Sequence, residues 1–464
     1  MEKGNGLTQE VAAFIVGTFY PDLPPESMKL VKRCLIDGIG VILGGATDQA
    51  SVILRQYLEN MGGKAESAVL GSKLRVPASV AALANGTSGH AQDFDDTQLS
   101  ISPDNVYGLL THPTTPVLAA ALSLGEAMGI SGKEFLTAFS LGFEVECKIA
   151  EAIHPIHYKK GYHTTGTIGA FGAAAAAGKI LGLSEDKVRY ALGIVSSMSA
   201  GIRANFGTMT KPLHAGRAAE NGVVAARLAQ LGFTSDQNVL ENPWGFFKIL
   251  GDNFDPYKIS GKLGNPYTII DPGVSIKPYP CGVLSHPSMN AMFDLVKEHN
   301  IQRQDVAEIL VYAGSNILDP LRYNFPQTGL EGKFSLPFCL TSIVLRRRAG
   351  IKEFSDEFVR SPEVKEMMHR VKTVHDPEIE AKGYRQILSR VEVRLKDGRI
   401  LKKDSGPYKG GPENPLSEIE LDEKFRVCAE LSLPREKISK ALDLLKGIEK
   451  LRDIRLLISA LSLA

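Results

Sequence analysis

Residues 77–128 read PASVAALANGTSGHAQDFDDTQLSISPDNVYGLLTHPTTPVLAAALSLGEAM. The two ends of this stretch are Ala- and Leu-rich and carry helical composition. Between them lie three carboxylates, Asp93, Asp95 and Asp96, and a histidine, His112, in a Thr-His-Pro-Thr-Thr-Pro turn. Charge this dense between apolar helices is costly to bury unless it is paired, bonded or functional. As structure alone, the carboxylates would cap helix starts. As chemistry, they would belong to a site at helix ends. The stretch predicts a mainly α fold in which polar islands interrupt packed helices.

The pattern continues outward. Residues 7–62 read as three helices, the second opened by Pro24-Pro25-Glu26, where a helix start tolerates proline. Residues 66–75 read as a short extended pair. Downstream, Ser131 and Glu134 form a capping-box signature. In GYHTTGTIGAFGAAAAAGKILGL (161–183), His163 precedes Thr164-Thr165-Gly166 at a predicted helix N-terminus, whose N–H groups favour anions. The segment AGIRANFGTMTKPLHAGR (200–217) carries Arg203, Lys211, His214 and Arg217 and leads into another long helix. Near residue 265 proline, glycine and β-branched residues take over. Residues 307–313 read as a strand, 333–348 as a buried helix, and 384–404 as a hairpin turning at Asp397-Gly398. The expected organisation is a large all-helical domain from both chain ends, 1–267 and 409–464, with a smaller α+β domain, 268–408, inserted.

A chain of 464 residues exceeds one simple core. Its 53 basic and 52 acidic residues leave a net charge of +1, which argues against nucleic-acid or membrane-surface partners. No apolar run reaches the roughly 18 residues that span a bilayer, and the polar N-terminus is no secretory signal. The five cysteines, Cys34, Cys147, Cys281, Cys339 and Cys428, are widely spaced without a CxxC. That argues against an iron–sulfur or structural zinc site and fits a cytoplasmic protein with reduced thiols. Cys281 reads as a small buried residue rather than a catalytic thiol.

Four polar islands stand out: Asp93–His112, His154–Thr165, Arg203–Arg217 and Lys277–His286. Lysines and histidines near helix starts can hold two or three carboxylates while a carboxylate or histidine moves a proton at carbon. No GxGxxG, Walker loop or HExxH accompanies them. The residues point to cofactor-free proton chemistry on a small polycarboxylic acid. Two rival classes remain at this level. DFDDT resembles an Asp-rich magnesium motif of helical prenyl-diphosphate enzymes but lacks the DDxxD spacing and a second acidic motif. A non-catalytic binding protein would use the same islands without turnover.

The stretches HAQDFDDT, THPTTPVLAAAL, GYHTTGTIGAFGAAAAAGKILGL, MTKPLHAGRAAENGVVAARLA, KPYPCGVLSHP and KFSLPFC occur in the order found in the MmgE/PrpD family, which the sequence resembles. That family includes 2-methylcitrate dehydratase, cis-aconitate decarboxylase and an iminodisuccinate epimerase. The resemblance implies the two-domain architecture above, a homodimer, an active site between the domains, and no metal or organic cofactor. It places active-site roles on Asp93, His112, His163, Lys211 and Lys277. Thr164, Arg203, His286 and Tyr323 are candidates for substrate contact. Gly282 stands where members closest to cis-aconitate decarboxylase carry a histidine, so the expected activity is 2-methylcitrate dehydratase-like, with decarboxylase-like or epimerase-like activity as alternatives. In this scheme Lys211 and Lys277 bind carboxylates and stabilise an enolate, His163 and His112 carry protons, and Asp93 orients a histidine or acts as base. Asp95 and Asp96 are expected to cap helices or pair with Arg203 or Arg217. Pocket shape is expected to depend on the loops Leu99–Leu110 and Arg322–Glu331.

Overall fold

A computed structural model of the chain describes residues 6–99, 110–382 and 387–463, so most of the Leu99–Leu110 loop lies outside the described residues. The protein is mainly helical. The N-terminal helices are α1 (Leu7–Gly17), α2 (Pro25–Gly45), α3 (Gln49–Met61), α4 (Ala78–Ala91), α5 (Thr114–Met128) and α6 (Gly132–Ala152). They continue with α7 (Gly169–Ile180), α8 (Glu185–Met198) and α9 (Thr210–Gln230). Pro25 is the first residue of α2, and Ser131 and Glu134 close the expected capping box on α6. The helix expected from Thr164 onward is split: one turn, Thr164–Thr167, precedes α7.

Small residues decide how these helices pack. A Cβ on Gly86 of α4 would lie 2.8 Å from the Cα of Gly216 on α9, and one on Gly142 of α6 would lie 2.6 Å from the carbonyl oxygen of Gly172 on α7. Such backbone contact needs glycine on at least one side. It lets α4, α5, α6, α7 and α9 form one densely packed layer whose ends lie close together. The sequence places its polar islands at those ends.

Between α3 and α4, β1 (Ser67–Ala68) and β2 (Arg75–Val76) form the expected antiparallel pair. β3 (Gln98–Leu99) pairs with β4 (Leu110–Thr111). Further along come α10 (His286–His299) and α11 (Leu336–Arg346), the expected buried helix. They cover a four-stranded sheet of order β6-β5-β7-β8, made of β5 (Val306–Ala313), β6 (Val371–His375), β7 (Ser389–Leu395) and β8 (Ile400–Asp404). β7 and β8 are the expected antiparallel hairpin, with Gly398 at φ +91° in its turn. β6, parallel to β5, has no counterpart among the sequence expectations. It is five residues long, and only Val371 is fully buried, so its alternation is weak.

The closing helices α12 (Glu418–Ala429), α13 (Arg435–Lys446) and α14 (Arg455–Leu461) pack back on α2 and α5, sharing one apolar core with Leu35, Ile39, Leu118 and Phe139. A separate core joins α10, α11 and the sheet, with Met289, Val311, Phe338 and Val391 at its centre. No helix among the described residues is long and apolar enough to cross a membrane.

Candidate active site

α4 ends at Ala91, and the chain then reverses through Asp93, whose φ is +51°. A non-glycine residue adopts this left-handed conformation only where its surroundings impose it. The reversal buries Asp93, Asp95 and Asp96 together. It is tied to the fourth island by a bridge between Thr97 and Ser275, each N–H donating to the other's carbonyl at 2.9 and 2.8 Å. Lys277 follows two residues later. Lys211 enters from the first turn of α9, and His163 from the residue before the Thr164–Thr167 turn.

One carboxylate oxygen, Asp93 Oδ1, accepts from Lys211 Nζ at 2.7 Å and from Lys277 Nζ at 3.3 Å. Lys211 also donates to His90 Nε2 at 2.8 Å. That contact makes His90 Nε2 an acceptor and leaves its proton on Nδ1, which donates to Asp95 at 2.8 Å. Asp95 also accepts from the Thr115 hydroxyl at 2.7 Å. His112 Nδ1 meets the Asp96 carbonyl oxygen at 2.8 Å. A carbonyl only accepts, so the His112 proton sits on Nδ1 and Nε2 carries a lone pair. The His112 backbone N–H donates to Thr165 Oγ1 at 3.2 Å, linking the first island to the second. His163 Nδ1 lies 3.0 Å from His214 Nδ1, leaving the opposite edge of the His163 ring for the cavity.

These groups line one cavity. Its polar lining is Asp93, His112, Tyr158, His163, Lys211 and Lys277, and its apolar lining is Phe206, Val283, Leu284, Pro320, Leu321 and Phe334, with Gly282. Burial alone would raise the Asp93 carboxyl, but Lys211 and Lys277 outweigh it and hold it well below the usual range. Burial, reinforced by the neighbouring lysines, pushes His112 and His163 well below the ordinary histidine value, so both are neutral imidazoles near pH 7. Burial also lowers Lys211, against the pull of Asp93. Asp96 behaves oppositely to Asp93. Burial and the nearby Asp37 and Asp95 carboxylates push it up to about 7.

His90, Asp93 and His112 present ligand atoms close enough to share a metal ion. Two of the three already hold the Lys211 ammonium, at 2.8 and 2.7 Å, so a dication there would meet a cation first. The donor set is built around lysine.

All five residues expected at the active site, Asp93, His112, His163, Lys211 and Lys277, line this one cavity. The four expected substrate contacts do not. His286 is buried between the rings of Tyr279 and Tyr408. Tyr323 donates its hydroxyl to the Phe206 carbonyl at 3.0 Å. Arg203 stacks on the Tyr158 ring, 3.8 Å from its centroid, and lies 5.8 Å from that of Phe206, behind the lining rather than in it. Thr164 is buried in the short turn behind His163. The expected pairing of Asp95 or Asp96 with Arg203 or Arg217 is corrected. Asp95 serves His90 and Thr115, and Arg217 pairs with Glu220 one turn along its own helix. Asp96 does cap a helix, accepting from the hydroxyl and N–H of Thr114 at the start of α5.

Sequence reasoning passed over His90, Tyr158 and Phe206. His90 was the most accessible of these, since it closes the last turn of α4 directly before the acidic run. The loop Arg322–Glu331 is described, and its Arg322 donates to the Phe206 carbonyl at 3.0 Å, behind the apolar lining.

The chain matches two family models, the MmgE/PrpD N-terminal domain over residues 9–258 and the MmgE/PrpD C-terminal domain over residues 279–446. It is 29% identical to a cis-aconitate decarboxylase of Homo sapiens, covering 98% of this chain and 94% of the relative. It is 28% identical to one of Mus musculus, covering 97% and 92%. Against one of Aspergillus terreus it is 25% identical, covering 99% and 96%. With most of its length accounted for by the two domains of a single family, the chain belongs to the MmgE/PrpD family.

Proposed function

We propose that this protein is a cofactor-independent lyase that releases carbon dioxide from an unsaturated tricarboxylic acid of the cis-aconitate type. The observation that carries this is the convergence of two buried lysines on one carboxylate at the cavity, among histidines that burial keeps neutral. Two ammonium groups at one cavity suit a substrate that brings carboxylates. Full-length likeness to cis-aconitate decarboxylases supports the choice of reaction.

In such an acid a carboxymethyl group adjoins a double bond conjugated with a second carboxylate. When the carbon–carboxylate bond breaks, its electron pair forms a new double bond. The pair of the old double bond moves to the carbon alpha to the second carboxylate, building an enolate dianion. Lys211 and Lys277 would hold that carboxylate and stabilise the dianion. A proton taken up with the substrate's carboxylates would make His163 an imidazolium, and its Nε2–H would give the carbon that proton, leaving a neutral imidazole with Nδ1 still engaged by His214. His112, with a lone pair on Nε2, would accept a hydrogen bond from the substrate or remove a proton where the reaction requires it. Asp93 would hold the two lysines in place.

The apolar part of the lining, with Gly282 in it, favours a second reading. An apolar lining suits an alkyl branch, as in 2-methylcitrate, and the same lysines would stabilise the enolate formed when the alpha proton is removed, before the protonated hydroxyl leaves as water. An epimerase would reprotonate that enolate from the opposite face.

Proton NMR in deuterated water, with cis-aconitate, citrate, 2-methylcitrate and aspartate-like diacids, separates these. Itaconate carrying one new deuterium supports the decarboxylase. Water loss from a hydroxy acid supports the second reading, and deuterium uptake without net loss an epimerase. No change with any compound rejects the substrate class.

The two-domain division is part of the same proposal. The separate cores support it, and the reach of the helical core to Ile269 and Ile276 favours a boundary after 276 rather than at 267. A homodimer is proposed on family grounds, with sedimentation as its test.

A further inference from the structure

Three consecutive carbonyls of the turn that carries Asp93 each accept from a different buried lysine. Gln92 O accepts from Lys333 Nζ at 2.7 Å, Asp93 O from Lys277 Nζ at 2.9 Å, and Phe94 O from Lys424 Nζ at 2.8 Å. The lysines come from distant parts of the chain: Lys333 from the turn before α11, Lys277 from the fourth island, and Lys424 from α12. All three are buried, and Lys333 and Lys424 do not line the cavity.

Each outer lysine is anchored on its own side. Lys333 also donates to Gln92 Oε1 at 3.3 Å and to the Pro280 carbonyl at 3.2 Å. Lys424 is paired with Asp37 at 2.5 Å and lies 3.9 Å from the centroid of the Phe94 ring. Three lysines brought out of water are an expensive way to satisfy three carbonyls, since water or backbone donors could do the same. What they provide is position. A carbonyl held by a charged donor that is itself fixed cannot rotate, and the left-handed Asp93 sits between two such carbonyls.

We infer that Lys333 and Lys424 are positioning residues for Asp93. With Lys277 they clamp the Gln92–Phe94 turn, and so set the carboxylate where it meets both Lys211 and Lys277. The clamp spans the chain's separate cores, so the geometry of the cationic site depends on their docking. The inference rests on the proposed function only in taking this cavity as the place of turnover.

The test is a double-mutant cycle. Lys333→Met keeps the length and apolar stem and removes the donor. Its expected effect is a fall in kcat on cis-aconitate of about 10²-fold, the scale of a misplacement near 1 Å, with KM changed far less. In an Asp93→Asn background the same substitution should cost little more, because its effect passes through that carboxylate. Lys333→Arg, which keeps a donor, should recover part of the loss. An unchanged kcat, or equal losses in both backgrounds, overturns the inference. Crystal structures of Lys333→Met and Lys424→Met give a readout that needs no substrate. Asp93 should lose contact with Lys211 or Lys277, and contacts retained in both variants overturn the clamp. If the unaltered protein turns over none of the acids, the lyase reading fails, and these structures still decide the clamp.

Discussion

Two buried lysine–aspartate contacts lie within the same helical packing and differ in stoichiometry. Lys424 and Asp37 form a pair of one cation and one carboxylate, sealed between α2 and α12. Lys211, Lys277 and Asp93 form a group of two cations and one carboxylate, open to a cavity. Both require charges to leave water. In the first, each charge is answered by the other. In the second, two ammonium groups meet on one carboxylate, the next carboxylate, Asp95, is held behind His90 and does not line the cavity, and a ligand carboxylate would find both ammonium groups there. Burial with charges paired one to one reads as architecture, and burial with two cations meeting at a cavity reads as a binding site.

That comparison has consequences for single substitutions. Lys211→Met should lower kcat/KM by about 10³-fold, the upper range for removing one donor that faces developing negative charge. The folded state should not suffer in proportion, because Lys277 still answers Asp93. Steady-state kinetics and a melting curve on the same preparation check both halves. Loss of folding with retained specific activity would make the open group architectural as well.

Asp37→Asn should act first on folding, and on turnover only through the hold of Lys424 on the Phe94 carbonyl. It leaves Lys424 buried without a counter-charge, at a cost of about 3 kcal/mol, the lower end for removing one member of a buried pair. Urea denaturation measures it. A cost near zero would mean that Lys424 is stabilised mainly by the Phe94 carbonyl and ring.

How much of this was legible in the sequence differs between the two regions. The helices, the β1–β2 pair, the capping box on α6 and the β7–β8 hairpin follow from periodicity and turn chemistry that act within a few residues. The four polar islands were legible as Gly-, Pro- or Thr-rich breaks between apolar helices, and the resemblance to the MmgE/PrpD family singled out Asp93, His112, His163, Lys211 and Lys277 within them. The contacts of Lys333 and Lys424 were not legible. A backbone carbonyl is present at every residue, so no sequence pattern marks the one that a lysine 241 or 330 positions away will reach. The Arg217 pairing went wrong for the opposite reason: a distant partner was sought although Glu220 stood three residues on, within reach on the same helix.

Acid should expose a third, smaller difference. His157 is buried, donates from Nδ1 to the Leu250 carbonyl and accepts at Nε2 from the Thr167 hydroxyl, and burial lowers it to about 4. Between the ordinary histidine value and 4 the unfolded chain binds the proton and the folded chain does not, so stability falls as pH falls through that window. The contribution is about 2 kcal/mol between pH 7 and pH 5. His157→Gln should flatten this acid limb in urea titrations at a series of pH values. Asp96 works with the opposite sign. Its folded value near 7 lies above its unfolded one, so its share of stability is full at low pH and is lost as pH rises from about 4 to about 7, across the same window. Asp96→Asn should therefore steepen the acid limb that His157→Gln flattens. Parallel curves for His157→Gln and the unaltered protein would show that this imidazole takes up its proton without unfolding.

The smallest effect isolates burial from stoichiometry. Glu363 on the surface also stands between two cations, with Arg303 at 3.1 Å and Arg346 at 2.5 Å. Its charge count is that of Asp93, but the arginines are 57% and 45% exposed where the lysines of the cavity are 5% and 1%. Water and salt already answer the extra positive charge there, so the group has no unmet demand for an anion. Glu363→Gln should cost under about 1 kcal/mol, lose even that at high ionic strength, and leave turnover unchanged. A larger, salt-insensitive cost would mean that two cations on one carboxylate matter in this protein whether or not they are buried. The contrast between sealed and open pairs would then rest on geometry rather than on desolvated charge.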